Sequence, residues 1–176
     1  MKNYIKNNLI KGLTTSPFKV PKSAWLLPLP YLALLLVIGF TTGMLEFGIL
    51  RSNLVYILPF TMIVMPALLE ESVFRGLMVP RDALMHGRVR TSVYLAVSTL
   101  LFVIWHPVNA LLYNHGAIEL FLNPFFLIMV GLLGLACGVG YIVSKSLWVP
   151  IIIHWITVMV WVILLGGRNF ILDPGF

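Results

Sequence analysis

The chain has 176 residues, of which 60% are hydrophobic and 10% charged, whereas an average soluble domain is about half apolar and about a quarter charged. A soluble fold of this length has too little interior to hide so much apolar surface, and the mean hydropathy of +0.98 agrees with lipid as the solvent. The net charge of +6 is concentrated at the N-terminus and in short loops, which is typical of membrane topology signals. The composition therefore excludes a soluble domain and a nucleic-acid partner.

A basic segment opens the chain. Residues 1–22 carry five lysines and are predicted to form a cytoplasmic tail that lies on an anionic membrane surface. Pro17 and Pro21 separate this tail from residues 23–176, which are predicted to form one membrane-embedded domain. The lysines of the tail are Lys2, Lys6, Lys11, Lys19 and Lys22.

Five apolar segments follow, each close to the ~20 residues that cross the hydrocarbon core. They run from about Ala24 to Leu45, Leu54 to Val79, Thr91 to Leu112, Pro124 to Val143 and Trp148 to Leu165. The sequence therefore predicts an all-α fold, a polytopic membrane helical bundle of about five transmembrane helices that contacts membrane lipid.

The loop charges predict the orientation of these segments. With the N-terminus inside the cell, nine basic residues lie on the inner side, against Arg51 and Arg168 on the outer side, as the positive-inside rule requires. The acidic Glu46, Glu119 and Asp173 fall on the outer side. The sequence therefore predicts a multi-pass protein of the cell (inner or plasma) membrane with its N-terminus inside. The inner basic residues are the tail lysines with Arg81, Arg88, Arg90 and Lys145.

The fourth segment carries several glycines, and two of them, Gly134 and Gly138, are four residues apart. Small residues at this spacing let a neighbouring membrane helix approach closely. We therefore expect this segment to be a centre of helix packing.

Three segments hold ionisable residues deep inside an apolar run. They are Glu70, Glu71 and Arg75 on the second segment, His106 on the third and His154 on the fifth. A charge at bilayer depth costs about 2.5–3.5 kcal/mol on insertion scales, so such groups face the bundle interior, pair with one another and mark functional sites. We therefore expect one polar pocket shared by three helices.

Helical geometry separates the two glutamates. Glu71 and Arg75 are four residues apart and lie on one helix face in the favourable acid-before-base order, so they are expected to neutralise each other. Glu70 points about 100° away and is the free carboxylate, which can serve as a general base. Pro66, four residues before Glu70, and Pro107 are expected to disturb their helices beside the site.

Each part of this pattern also has a simpler interpretation. Glu71 with Arg75 could be a buried structural pair, and His106 alone could be a hydrogen-bonded core histidine. The combination of an unpaired Glu70 with two membrane-embedded histidines favours a functional site. His106 and His154 can supply hydrogen bonds, proton transfer or oxyanion stabilisation.

Three motifs resemble those of the CPBP intramembrane proteases, also called the Abi family, which include the CAAX prenyl endopeptidases and the bacteriocin-processing and self-immunity proteins of bacteria. Residues 70–76, EESVFRG, resemble the EExxxR motif, and residues 102–106, FVIWH, resemble the FxxxH motif. His154 resembles the start of the HxxxN motif. The resemblance covers residues 54–165, and the motifs fall on the apolar segments in the family's order.

The resemblance implies a glutamate-dependent, metal-independent endopeptidase that hydrolyses a peptide bond in a membrane-associated protein or peptide, without a cofactor. Glu70 would activate a water with help from His106, and His154 would help to stabilise the oxyanion. Glu71 and Arg75 would shape and orient the site.

One position departs from the family pattern. The third motif usually ends in Asn four residues after the His, where this chain has Val158, which donates no hydrogen bond. Loss of an oxyanion donor costs about 10²–10³ in rate. Asn109, one helical turn beyond His106, is the candidate substitute. Asn109 and Phe102 are the candidate substrate-binding residues.

Two alternative functions stay open. One glutamate and two histidines can form a catalytic zinc site, although the chain lacks HExxH or another compact ligand spacing. The other alternative is a catalytically weak or inactive family member that serves as a membrane scaffold or immunity factor. Val158 is the feature that favours this second alternative.

Overall fold

The structure, a computed structural model, describes residues 2–50 and 52–167 and is built from helices joined by short turns. Within these ranges the chain forms no β-strand, and one isolated bridge joins Gly48 and Leu165. The predicted all-α fold is therefore confirmed.

Seven helices make up the described part of the chain. In chain order they are α1 (residues 2–14), α2 (Ser23–Thr41), α3 (residues 58–77), α4 (Arg88–Leu112), α5 (Ile118–Phe121), α6 (Pro124–Ser144) and α7 (Trp148–Leu164). Single 3₁₀ turns lie at Pro17–Lys19, Asn53–Tyr56, Ala83–His86 and His115–Ala117. The five predicted apolar segments correspond to α2, α3, α4, α6 and α7.

The outer surface of the bundle is apolar. Helices α2, α4 and α6 are each long and apolar enough to cross a membrane, and α7 is a shorter apolar helix. Large hydrophobic side chains on these helices are exposed, as a lipid-facing surface requires. Examples are Leu34, Val97, Leu100, Ile128 and Ile156. The chain is therefore a multi-pass membrane protein.

The orientation of the bundle in the membrane stays a prediction. Three of the charged residues on which it depends, Arg51, Arg168 and Asp173, lie outside the described residues. All nine basic residues of the inner set lie within the described ranges, in α1, in turns and loops between helices and at the start of α4.

Helix α6 lies at the centre of the bundle, with α2, α4 and α7 packed around it. Its N-terminus is capped by Asn123, whose side-chain oxygen accepts hydrogen bonds from the backbone N–H groups of Phe125 and Phe126, as helix starts prefer. The predicted close approach at its glycines is confirmed, because a Cβ atom on Gly138 would collide with Leu95 of α4. Helix α6 therefore provides the frame on which the other helices are placed.

Helix α3, which carries Glu70, is irregular. It consists of an α-helical start, Leu58–Met62, a π-helical stretch, Ile63–Leu68, one α-helical turn, Leu69–Glu71, and a second π-helical stretch, Ser72–Leu77. At Met65 the backbone leaves the helical region (φ −133°, ψ 113°), and the next residue, Pro66, has no N–H to donate. The disturbance expected at Pro66 is therefore confirmed.

Helix α4 differs from the sequence-based expectation. It continues from Arg88 through Pro107 to Leu112 as one α-helix, so the disturbance expected at Pro107 is wrong. Membrane helices tolerate a proline where neighbouring groups satisfy the carbonyl that the ring frees.

The N-terminal segment is folded against the bundle. Helix α1 contacts the end of α3, and the backbone N–H of Leu147, between α6 and α7, donates to the carbonyl of Gly12 at 3.0 Å. The buried side chain of Asn8 accepts from the N–H of Arg81 and donates to the carbonyl of Val79. The division into a tail and a membrane domain at residue 22 stays a prediction, but α1 does not project away from the bundle.

Candidate active site

Arg75 ties three helices together. Its side chain is fully enclosed, with 0% exposure. Nη1 donates to Oε1 of Glu71 at 3.1 Å, and Nη2 donates to the carbonyl oxygen of Gly134 on α6 at 2.8 Å. The guanidinium carbon lies 4.6 Å from the ring centroid of Phe102 on α4, which is a cation–π contact. The expected ion pair between Glu71 and Arg75 is therefore present, and it is linked to both neighbouring helices.

His154 stands between the two glutamates. Its Nδ1 lies 2.8 Å from Oε1 of Glu71, and because an ionised carboxylate only accepts, this nitrogen carries a proton. Nε2 of the same ring lies 3.9 Å from Oε2 of Glu70, which is beyond hydrogen-bond distance. Glu71 therefore fixes one ring nitrogen of His154, and the other ring nitrogen points towards Glu70.

Glu70 is the less committed glutamate, as helical geometry predicts. Its Oε1 accepts a hydrogen bond from the indole N–H of Trp105 at 3.1 Å. Its Oε2 is buried and has no hydrogen-bond partner among the described residues. Glu70 therefore receives one hydrogen bond, whereas Oε1 of Glu71 accepts from both Arg75 and His154. The second oxygen of each glutamate has no partner among the described residues.

His106 is oriented by its own helix. Its Nδ1 donates to the carbonyl of Phe102 at 2.9 Å, because a carbonyl oxygen can only accept. In the neutral imidazole Nε2 is then the acceptor. The ring of Phe102 lies edge-on to His106 and to His154, with centroid separations of 5.0 and 5.6 Å. Phe102 therefore spaces the two imidazoles.

A cavity of about 410 Å³ opens in front of these groups. Glu70, His106 and His154, which come from α3, α4 and α7, all line it, and so do Asn109 and Val158. The other walls are mainly apolar and include Leu32, Leu36, Met65, Met129, Leu133 and Trp161. Three residues that lie far apart in the sequence therefore meet at one cavity.

Three predicted site residues lie behind the cavity. Glu71, Arg75 and Phe102 are fully buried and do not line it. The ring of Phe102 contacts the Arg75 guanidinium and the two imidazoles, and its role as a substrate-binding residue stays a prediction. Asn109 does line the cavity, and its role as a substrate-binding residue stays a prediction.

Two contributors to the site are not predicted from the sequence. Trp105 directly precedes His106, and its indole donates to Glu70. Gly134 is expected to serve helix packing, yet its carbonyl accepts from Arg75. The position beside a motif histidine is the one signal for Trp105, and a backbone carbonyl leaves no signal in the sequence.

The zinc alternative lacks a ligand set in the described part of the chain. Among residues 2–50 and 52–167, no group of three His, Cys, Asp or Glu side chains could hold a metal ion. Oε1 of Glu71 already accepts from Arg75 and His154, and Nδ1 of His106 is occupied by a backbone carbonyl. The described residues therefore offer no preformed ligand group for zinc, and metal independence stays a prediction.

The fold and the site define a multi-pass α-helical membrane protein that buries acids and histidines beside an intramembrane cavity. The family model described as "Type II CAAX prenyl endopeptidase Rce1-like" matches residues 28–160, a span that includes every motif named above. The chain belongs to this Rce1-like family, and at the family level it is a CAAX-protease-like intramembrane endopeptidase. Comparisons with curated proteins and with solved structures each give no match.

Proposed function

We propose that this protein hydrolyses peptide bonds in membrane-associated proteins or peptides by a glutamic, metal-independent mechanism, in the inner or plasma membrane of the cell. The observation that carries the proposal is that Glu70, His106 and His154, from three helices, line one cavity. Membership in the Rce1-like family supports the peptidase class. Glu71 and Arg75 hold the site from behind.

Glu70 and His106 act on the attacking water. The water donates one hydrogen bond to the Glu70 carboxylate and one to the neutral Nε2 of His106, which leaves a lone pair directed at the substrate carbonyl. As its oxygen bonds to the carbonyl carbon, Glu70 takes its proton. The carbonyl oxygen becomes the negatively charged oxygen of a tetrahedral intermediate.

The second step breaks the C–N bond. The negative oxygen re-forms the carbonyl, the leaving nitrogen takes the proton from Glu70, and a carboxylic acid and an amine are released for each water consumed. His154 can donate from Nε2 to the oxyanion when its ring carries a second proton.

Asn109 supplies the amide that the third motif lacks. Val158 stands where the family usually has Asn, and both Val158 and Asn109 line the cavity. The side-chain NH₂ of Asn109 can donate two hydrogen bonds, and a donor directed at the oxyanion contributes about 10²–10³ in rate. Asn109 lies one turn beyond His106, which places both residues on the same side of α4.

The cavity walls suit a hydrophobic substrate segment. Leucine, methionine and valine side chains of α2, α6 and α7 surround the polar groups, so an apolar chain next to the scissile bond would be covered by apolar surface. The family's description names CAAX prenyl endopeptidases. A farnesylated CAAX peptide is therefore the first substrate to test, followed by an unprenylated transmembrane peptide.

The test uses full-length protein in lipid vesicles with each of these two peptides, and cleavage is followed by mass spectrometry. We expect cleavage by the wild type, loss of cleavage in Glu70→Gln and His106→Ala, and no effect of a chelator. Undiminished cleavage by both variants would end the proposal. Activity that a chelator removes and zinc restores would contradict the metal-independent mechanism.

A second candidate function is a catalytically inactive scaffold or immunity factor. Val158, an apolar side chain at the cavity position of the motif amide, is the observation that favours it. The two candidates differ in cells: Glu70→Gln abolishes the biological effect of a protease and leaves the effect of a scaffold intact.

A further inference from the structure

We infer that Trp105 is a positioning residue whose indole N–H holds the Glu70 carboxylate in the orientation that water activation requires. The inference rests on the proposed function, because it assigns a second residue to the action of the same carboxylate. Its basis is the hydrogen bond from Nε1 of Trp105 on α4 to Oε1 of Glu70 on α3, with a length of 3.1 Å.

The carboxylate of Glu70 depends on this contact. Glu70 is 7% exposed and lies beside mainly apolar walls, where buried polar groups need hydrogen-bond partners. Among the described residues, Trp105 donates the one hydrogen bond that this carboxylate receives, and Nε2 of His154 at 3.9 Å is too distant to donate another. The last side-chain torsion of glutamate has a broad energy profile. A single fixed donor therefore decides the plane of the carboxylate.

The indole is well suited to this task. Its N–H only donates and has no acceptor site, so it can hold one oxygen of Glu70 without competing for the proton that the carboxylate takes from water. The ring of Trp105 is itself braced, because it packs against the buried cluster that contains Phe74, Phe102 and Phe126. An aromatic ring at this position therefore provides both a donor and a rigid support.

The protein contains a matched control for this contact. Trp155 on α7 donates its indole N–H to the carbonyl of Pro59 at 2.9 Å, so it also links α3 to another helix. Trp155 does not line the cavity. A change of Trp155 to Phe removes the same chemical group from a contact of similar length that does not involve Glu70.

The experiment compares Trp105→Phe, Trp155→Phe and Glu70→Gln in full-length protein in lipid vesicles. The first readout needs no substrate: the infrared band of the Glu70 carboxyl group is identified as the band that Glu70→Gln removes. We expect this band to shift in Trp105→Phe, which loses the donor, and to keep its position in Trp155→Phe. Trp105→Met, which also lacks the N–H, replaces Trp105→Phe if the latter does not fold.

The second readout is the kinetics of cleavage of the farnesylated CAAX peptide. A hydrogen bond to a charged group that acts in the transition state lowers kcat when it is lost, so Trp105→Phe should reduce kcat roughly 10–100-fold with KM unchanged. Trp155→Phe should retain wild-type kcat. An unshifted carboxyl band in Trp105→Phe, or equal losses of kcat in the two tryptophan variants, would overturn the inference. If the wild type cleaves neither test peptide, the proposed function fails, and the infrared band alone decides whether Trp105 positions Glu70.

Discussion

Nδ1 of His154 on α7 donates to Oε1 of Glu71 on α3 across 2.8 Å. The same oxygen accepts from Nη1 of Arg75, so one carboxylate oxygen serves two buried donors. Glu71 is thereby committed to holding α3, α7 and the guanidinium in register. Its neighbour Glu70 faces the cavity. In the proposed chemistry Glu71 therefore has a structural role, and Glu70 acts on the water.

Loss of the Glu71 charge should destabilise the fold. Glu71→Gln leaves the enclosed Arg75 guanidinium without its counter-charge, which costs about 3–5 kcal/mol in buried pairs. The double variant Glu71→Gln/Arg75→Met removes both charges and should recover much of that loss. Glu119→Gln, a change at an exposed carboxylate, is the control and should stay within about 0.5 kcal/mol of the wild type.

The free energy of unfolding of these variants can be measured by denaturant titration in mixed micelles. A single variant Glu71→Gln as stable as Glu119→Gln would show that the pair does not hold the bundle.

Gly134 and Gly131 on α6 should respond in opposite directions to alanine. A Cβ on Gly134 would lie 3.0 Å from Cγ2 of Thr99 and 3.2 Å from Cδ1 of Phe102. Gly134→Ala should therefore displace the Phe102 ring, which contacts the Arg75 guanidinium, and lower the free energy of unfolding by about 1–3 kcal/mol. A Cβ on Gly131 would lie 3.6 Å from Cγ2 of Val103, an ordinary van der Waals distance. Gly131→Ala should be neutral or stabilise by up to about 1 kcal/mol, since alanine favours helix.

The thermal unfolding midpoints of the two alanine variants in the same detergent check this prediction. Equal midpoints would contradict the close packing of α4 against Gly134.

The amide of Asn109 should be needed for turnover because Val158 supplies none. Asn109→Ala should reduce kcat roughly 10²-fold, and Val158→Asn introduced into that variant should restore a large part of it. The control is Val160→Asn, which adds an amide to another residue that lines the cavity and should not restore activity. Cleavage of the farnesylated CAAX peptide measures all three, and an unimpaired Asn109→Ala would remove Asn109 from the mechanism.

Helix α1 should detach when Gly12 is enlarged. A Cβ at Gly12 would lie 2.9 Å from Cγ of Leu147, and valine adds two further methyl groups at that contact. Lys6 and Lys11 are already exposed, but a docked helix resists cleavage, so Gly12→Val should raise the rate at which trypsin cuts at these lysines in vesicles that present this side. Gly116→Val is the control, because nothing lies within 4 Å of a Cβ there. Identical trypsin cleavage rates in the two variants would contradict the docking of α1.

Most of the fold and part of the site can be predicted from the sequence. Hydropathy identifies the membrane-spanning segments because lipid requires long apolar helices, and the four-residue spacing of Glu71 and Arg75 identifies their pair because helical geometry sets it. The contact of Phe102 with the Arg75 guanidinium could not be predicted, since a motif position does not tell which way a ring faces.

The contact of Trp105 with Glu70 could not be predicted. It depends on how α3 packs against α4, and α3 is interrupted before the glutamates by a π-helical stretch and by the break at Met65. The docking of α1 could not be predicted from the sequence either. The side chain of Asn8 bonds to backbone groups of Val79 and Arg81, and every residue carries such backbone groups.

The central claim is that the Glu70 carboxylate activates the water that cleaves the peptide bond. The most direct measurement is kcat for the farnesylated CAAX peptide in vesicles that hold wild type, Glu70→Gln or Glu119→Gln, with unfolding midpoints recorded in parallel. The account predicts that Glu70→Gln keeps the wild-type midpoint and loses roughly 10²–10⁴-fold in kcat, while Glu119→Gln loses nothing. A folded Glu70→Gln protein that cleaves the peptide as fast as the wild type would contradict it.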